Sequence, residues 1–219
     1  MKIIKRGAEA VIYLSNDNLI KERIKKGYRI SEIDLKLRKE RTRKEVKLMS
    51  EVRRIGVNVP NIIEVDEKSN KIVMKFIDGY RLKELLNETS AKIQEQLAEE
   101  MGKSVGLMHS NGIVHGDLTT SNMILKDKKI YFIDFGLGEF SKRIEDLATD
   151  LSVLKEAFKS THFKHLSLLW QSFIKGYNQT NTKSEEVLGK LEEIEKRGRY
   201  VRRGNGRTTK NGRAQDRRA

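Results

Sequence analysis

The chain has 219 residues, a formal charge of +14, 37% hydrophobic and 35% charged residues, and no cysteine. It is apolar enough to build a core as one or two domains or one two-lobed fold. Its composition excludes collagen-like, mucin-like and low-complexity character for the body of the chain, and it excludes disulfides, thiolate metal sites and cysteine nucleophiles outright. No window approaches the roughly 18 uninterrupted apolar residues of a membrane span, and no signal-peptide core follows Met1, so a soluble cytoplasmic protein with no membrane contact is expected.

In chain order, Ile3-Ile4 and Val11 to Leu14 read as short strands around the turn Arg6-Gly7-Ala8-Glu9-Ala10. Asn16-Asp17-Asn18 is a hairpin signal, and Leu19 to Glu22 is the next strand. Ser31 opens a long helix with Glu32 and Asp34 in its first turn; Ile33, Leu37, Val46, Met49, Val52 and Ile55 predict one buried face, and Gly56 an end. Ile62 to Val65 and Ile72 to Met74 are strands about Ser69-Asn70, and Asp78-Gly79 is a break. Beyond it helices are expected over Arg81 to Glu88, Ser90 to Ser110, Asp146 to Lys159, His165 to Tyr177 and Ser184 to Glu195, with short strands near Ile113, Met123 and Ile130. From Lys196 to Ala219 there are ten Lys and Arg against one acid, a net charge of +9. Rich in Gly, Asn and Thr, this segment reads as a disordered basic tail attracted to phosphate backbones.

The chemistry concentrates in residues 115 to 136. His115-Gly116-Asp117-Leu118-Thr119-Thr120-Ser121-Asn122 puts a carboxylate and a carboxamide on one loop, and Asp134-Phe135-Gly136 follows an apolar strand. Phosphoryl transfer needs a hydroxyl oriented by a carboxylate and Mg²⁺ held by hard oxygen ligands against a triphosphate. Asp117 is the candidate for the first task, Asn122 and Asp134 for the second. His115 is expected to brace the loop by hydrogen bonding. Lys21, in an apolar strand after the Gly7 turn, is the candidate phosphate cation. Glu45 is its best partner from the following helix, with Glu40 and Glu51 as competitors.

Carried on Gly7-Ala8-Glu9-Ala10, Ile20-Lys21-Glu22-Arg23, Lys26-Gly27-Tyr28-Arg29, Arg41-Thr42-Arg43-Lys44-Glu45, Gly56-Val57-Asn58-Val59-Pro60, the 115–122 loop, Asp134 to Gly138, Asp150-Leu151, Ser160-Thr161-His162 and Arg197-Gly198-Arg199, the chain to about Arg202 resembles the small atypical kinase/ATPase of the KEOPS complex, the PRPK family. The resemblance implies an α+β, minimal bilobal protein-kinase-like fold: a β-rich N-lobe over 1–78 with one long helical segment and a small, mostly helical C-lobe over 79–200; the segment 201–219, read from composition as a disordered basic tail, matches nothing expected of the family. It implies binding of ATP and Mg²⁺, with ATPase or Ser/Thr autokinase activity. Gly7, Ala8, Glu9, Ala10, Ile12, Lys21, Met74 and Phe76 are expected at the nucleotide, Asp117, Lys21 and Glu45 in catalysis, and Asn122 and Asp134 at the metal. It further implies partnership with the tRNA-threonylcarbamoyl catalytic subunit and other KEOPS subunits, and contact of Arg197, Arg199 and the tail with tRNA or that subunit.

Departures from ordinary protein kinases carry physical meaning. The phosphate loop has one glycine, Gly7, and an acid, Glu9, expected to face the amide backbone or a metal. Thr119 stands where ordinary Ser/Thr kinases carry a catalytic-loop lysine, and no Ala-Pro-Glu sequence follows Asp134. The long segment that docks peptide substrates is therefore expected to be missing, and a partner-controlled ATPase fits better than a free-standing kinase. Two alternatives stand beside this reading: a RIO-type kinase of ribosome maturation, and a tRNA-binding scaffold with a vestigial nucleotide site.

Overall fold

The computed structural model describes residues 1–205, with side chains to Arg197. Five antiparallel strands form the first lobe: β1 (Lys2–Arg6), β2 (Ala10–Ser15), β3 (Asn18–Arg23), β4 (Ile62–Asp66) and β5 (Lys71–Lys75), in the order β1-β2-β3-β5-β4. The β2–β3 turn places Asn16 and Asp17 at φ 47° and 60°. Asn and Asp tolerate this left-handed region, and the tight turn matches the twist of the paired strands.

Helix α1 (Ser31–Arg54) crosses this lobe and ends at Gly56, whose φ of 91° suits the residue after a helix. Its second half buries Met49 and Val52, as the apolar spacing predicts, together with Leu48, while Val46 and Ile55 are half-buried. Its first half departs from that expectation. Ile33 is 52% exposed, and the buried positions are Asp34 and Thr42. This end faces basic chain rather than core: Asp34 accepts from Arg38 Nε at 2.7 Å and from the Lys26 backbone N–H at 3.2 Å.

After the connection through Lys75 to Gly79 come β6 (Tyr80–Arg81), α2 (Leu82–Leu85), α3 (Ala91–Ser110), β7 (Ile113–Val114), β8 (Met123–Lys126), β9 (Lys129–Phe132), β10 (Glu139–Phe140), α4 (Ile144–Thr161), α5 (Leu166–Thr180) and α6 (Ser184–Asn205). The two-residue strands β6 and β10, paired with β8 and β7, are too short to leave a periodic signal in the sequence. Helix α2 is shorter than the expected Arg81 to Glu88. Helices α3 and α5 pack with their backbones nearly touching, since a Cβ on Gly176 would lie 2.0 Å from the Glu99 carbonyl oxygen. One apolar cluster joins the lobes, running from Leu48 and Val52 through Phe132 and Phe135 to Leu151 and Phe173.

Helix α6 runs ten residues past its expected end at Glu195 and through 201–205, part of the expected tail, which is helical and not disordered there. Lys196 and Arg197 sit on this helix, with Arg197 3.8 Å from Glu145 and 3.6 Å from Glu193. The expectation of an unfolded basic segment is corrected for residues 196–205. The side chain of Arg199 and all of residues 206–219 lie outside the described residues.

A buried histidine ties α4 to the start of β8. His162 Nδ1–H donates to Asn87 Oδ1 at 2.7 Å, and its Nε2 accepts from the Thr120 hydroxyl at 2.9 Å. Burial, reinforced by His165 and Lys83, pushes its pKa down to about 4. An unfolded imidazole titrates near ~6.5, so the unfolded chain takes up the proton first as pH falls. The stability from His162 is complete above about pH 6.5 and is lost as pH falls toward 4, by up to about 1.4 kcal/mol per pH unit. His162→Gln should flatten the fall in urea midpoint between about pH 7.5 and about pH 5. Parallel pH curves for variant and wild type would contradict this.

Candidate active site

Strand β3, helix α1 and the segment after β9 bring four charges together. Lys21 Nζ donates to Glu45 Oε1 at 2.6 Å and to Asp134 Oδ1 at 2.7 Å, and Arg23 Nη2 donates to Glu45 Oε2 at 2.5 Å. Burial works against the charge on Lys21, but the carboxylates of Glu45 and Asp134 outweigh it and hold the ammonium above its usual range. Partial burial likewise opposes ionisation of Asp134, and the Lys21 ammonium overcomes it, holding this carboxyl below the usual range. Glu40 is exposed, and Glu51 bonds Arg54 at 2.8 Å, so Glu45 is the partner that the structure selects.

The loop from His115 to Asn122 is held from beneath. Asp150, 2% exposed on α4, accepts the His115 N–H at 2.8 Å and the Gly116 N–H at 2.9 Å, and lies 3.3 Å from His109 Nε2. Burial raises the Asp150 pKa, but His109, His115 and the amide bonds outweigh it and keep the carboxyl below its ordinary value. Gly116 has φ 80°, and a Cβ there would lie 2.3 Å from the Leu137 carbonyl oxygen, so only glycine fits. His115 Nε2 bonds the Ile133 carbonyl at 3.2 Å and its Nδ1 accepts the Asp117 N–H at 3.3 Å. Complete burial pushes its pKa down, so the ring is a neutral brace, as expected.

Asn122 Nδ2 donates to the Asp117 backbone carbonyl at 2.9 Å and to Asp117 Oδ2 at 2.8 Å. Both donors of the carboxamide are thereby turned toward Asp117, which leaves Oδ1 as an acceptor. Asp134 has φ 65°, a strained left-handed backbone for a non-glycine residue that aims its half-exposed carboxylate at the cleft. Asn122 Oδ1 and Asp134 are hard oxygen donors on one cavity wall, a set that suits Mg²⁺. Among the described residues no group of three His, Cys, Asp or Glu gathers as an all-protein metal cage.

Two adjoining cavities share Lys5, Ile12, Lys21 and Asp134 as walls. One, of about 310 Å³, is walled by apolar Ile4, Leu19, Met74, Ile124 and Ile133 and by the connecting segment from Lys75 to Ile77. The other, of about 240 Å³, is lined by Gly7 to Ala10, Lys21, Arg23, Asp117, Asp134 and Gly136. The flat apolar slot therefore opens onto a polar, charged end, a shape for an aromatic base followed by phosphates. The Phe76 N–H is taken by the Asp17 carbonyl at 3.0 Å, whereas the Ile77 N–H has no protein acceptor among the described residues.

The structure thus gathers Lys21, Glu45, Asp117, Asn122 and Asp134 at one cleft, lined also by Gly7, Ala8, Glu9, Ala10, Ile12, Met74 and Phe76. Glu9 adds a contact that was not expected: it pairs with Arg41 of α1 and lies 3.9 Å from Arg29 in the turn before that helix, so these two cations offset its charge. Sequence reasoning missed Arg23 and the anchoring role of Asp150. Both left a signal. Arg23 is two residues from Lys21, hence on the same face of a strand. Asp150 is an acid in the apolar spacing Leu147, Leu151, Leu154, where burial demands a partner.

The Lys21–Glu45 pair predicts strong coupling. Lys21→Met and Glu45→Gln should each cut ATP turnover at least about tenfold. The double variant should be little worse than the poorer single, because residues acting as one unit are non-additive. Full additivity in a double-mutant cycle would contradict the pairing.

The RIO domain family model matches residues 2–168. The chain is 49% identical over 215 residues to the KEOPS complex subunit Bud32 of Pyrococcus abyssi, covering 93% of this chain and 98% of that one. It is 47% identical over 205 residues to a probable bifunctional tRNA threonylcarbamoyladenosine biosynthesis protein of Methanosarcina mazei, where it spans 91% of its own length but 36% of the relative's. Among solved structures, WaaP in complex with acyl carrier protein aligns at TM-score 0.63 with 13% identity, covering 89% of this chain and 88% of that one. The Rio2 kinase complex with ADP and Mg²⁺ from Chaetomium thermophilum aligns at 0.60 with 14% identity, covering 92% and 72%. These two establish the kinase-like fold. The chain is an atypical kinase of the RIO-domain family, and within it belongs to the family of the KEOPS subunit Bud32.

Proposed function

We propose that the protein is the Mg-ATP-dependent atypical kinase/ATPase subunit of a cytoplasmic KEOPS complex, acting in threonylcarbamoyladenosine modification of tRNA. The observation that carries this is the convergence of Lys21, Glu45, Asp117, Asn122 and Asp134 on one cleft, in a chain that matches a KEOPS Bud32 over nearly its whole length. An intact charge set of this kind speaks against a scaffold with a vestigial site. The RIO-type ribosome-maturation reading has the RIO-domain match and a remote likeness to Rio2 behind it, whereas the near full-length identity of 49% is to a KEOPS subunit.

In this reading the base lies in the apolar slot with its edge on the hinge backbone, where the Ile77 N–H is free to donate. Lys21 holds phosphate oxygens, positioned by Glu45. Asp117 orients the attacking hydroxyl or water and draws its proton. Asn122 and Asp134 would hold Mg²⁺, which when bound neutralises phosphate charge. His115 and Asp150 keep the loop backbone in place without touching the reactants. With Thr119 in the loop and no long segment after Gly136 to dock a peptide, turnover is controlled by partners: the threonylcarbamoyl catalytic subunit, other KEOPS subunits and tRNA.

The basic C-terminus is the expected tRNA contact, with Arg197 and Arg199 at its root. Truncation before Lys196 should weaken tRNA binding by the assembled complex, with a shallower salt dependence because fewer counterions are released. It should also lower tRNA-stimulated ATP turnover. Truncation after Arg203 removes charge but not this root, and should reduce binding only in proportion to charge. Two truncations indistinguishable from wild type at low salt would rule out the tail as a nucleic-acid contact. Loss of tRNA modification on adding an Asp117→Ala subunit to otherwise complete KEOPS tests the reading as a whole.

A further inference from the structure

Arg23 is a buried cation with too few partners. It is 5% exposed and stands two residues beyond Lys21 on β3. Its Nη2 donates to Glu45 Oε2 at 2.5 Å, but its Nε is buried with no acceptor. Glu45 is meanwhile shared with Lys21 at 2.6 Å. A guanidinium presents five donors in a fixed fork, so half a carboxylate leaves most of that capacity unused.

The guanidinium borders the charged end of the cleft. Arg23 lines the same cavity as Lys21, Asp117, Asp134 and Gly136. A Cβ added to Gly136 would lie 3.4 Å from Arg23 Nη2 and 3.4 Å from Lys21 Nζ, so both cations flank one residue and look into one space. The loop between Asp117 and Asn122 reads Leu118-Thr119-Thr120-Ser121 and supplies no cation. The third cation on the cavity wall, Lys5, is exposed on edge strand β1. Lys21 and Arg23 are therefore the buried positive charges available to an anion with several acceptor oxygens.

We propose that Arg23 is a second phosphate-binding residue, pairing through its free N–H groups with terminal phosphate oxygens of the nucleotide and stabilising the charge carried by the transferring phosphoryl group. In effect β3 supplies from above the positive charge that the loop lacks. The proposal rests on the nucleotide reading of the cleft.

The test compares the full chain with Arg23→Gln and Arg23→Lys, measuring binding of adenosine, ADP and ATP with Mg²⁺ by calorimetry, and ATP turnover. Arg23→Gln is expected to leave adenosine affinity within about twofold, weaken ATP about 10- to 100-fold and more than ADP, and lower turnover about 10²- to 10³-fold. Arg23→Lys, which keeps charge but loses the fork, should recover part of both. Equal losses for adenosine and ATP would overturn the proposal and leave Arg23 as a strut for Glu45. If Arg23→Gln does not fold, the Arg23→Lys protein decides: a loss graded with phosphate number supports the proposal, and a uniform loss or none overturns it. A wild-type chain that binds neither ATP nor ADP would instead overturn the nucleotide reading itself, before any variant is made.

Discussion

Asp117→Ala should lower phosphate release by about 10²- to 10⁴-fold while leaving ATP affinity within a few-fold of wild type. The carboxylate pairs with no cation among the described residues: its Oδ2 accepts from Asn122, and Lys21 and Arg23 are engaged with Glu45 and Asp134. Its removal therefore takes away orientation and proton acceptance without dismantling the phosphate cations. Asp134→Ala should differ by weakening Mg-ATP binding as well, since it removes the proposed Mg²⁺ ligand and frees Lys21. Single-turnover phosphate release beside equilibrium nucleotide binding separates the two. Equal losses in binding and turnover for Asp117→Ala would move it from chemistry to binding.

The second large effect is expected at Asp150, which never meets the nucleotide. Asp150→Ala leaves the His115 N–H buried and the Gly116 N–H half-buried without acceptors. At about 1–3 kcal/mol for each unsatisfied group, the variant should lose about 2–6 kcal/mol of stability, read as a lower urea midpoint. It should also lose turnover, because Asp117 follows directly on the unanchored backbone, whereas ATP affinity, set largely by the other lobe, should fall less. Asp150→Asn keeps one acceptor and should fall between. A wild-type midpoint for Asp150→Ala would show that other groups hold the loop.

Much of this site was legible before the fold. The candidate catalytic-loop and metal residues lie in one 22-residue stretch, and their order alone limits the chemistry. Glu45 was harder, because α1 carries several acids and its facing depends on packing; only the burial of the second half of the helix selects Glu45 over Glu40. The apolar spacing misled at Ile33, where a strong local pattern yields to the polar contacts of Asp34 with Arg38 and Lys26. Short strands such as β6 and β10 have no period of their own and exist through their partners. Glu9 shows the same limit from another side. A charge in a phosphate loop reads as a problem until the fold brings Arg41 and Arg29 to it from 20 or more residues away. The extension of α6 to Asn205 carries Arg197 to Glu145 on α4, a long-range contact with no local sign.

The most direct test of the central claim is ATP turnover by the purified chain, alone and then with the threonylcarbamoyl catalytic subunit and tRNA, with ADP and phosphoprotein counted separately. The account predicts Mg²⁺-dependent ADP formation that rises on adding the partner and tRNA and disappears when the chain carries Asp117→Ala. Undiminished ADP formation by the Asp117→Ala assembly would place the chemistry elsewhere and contradict it.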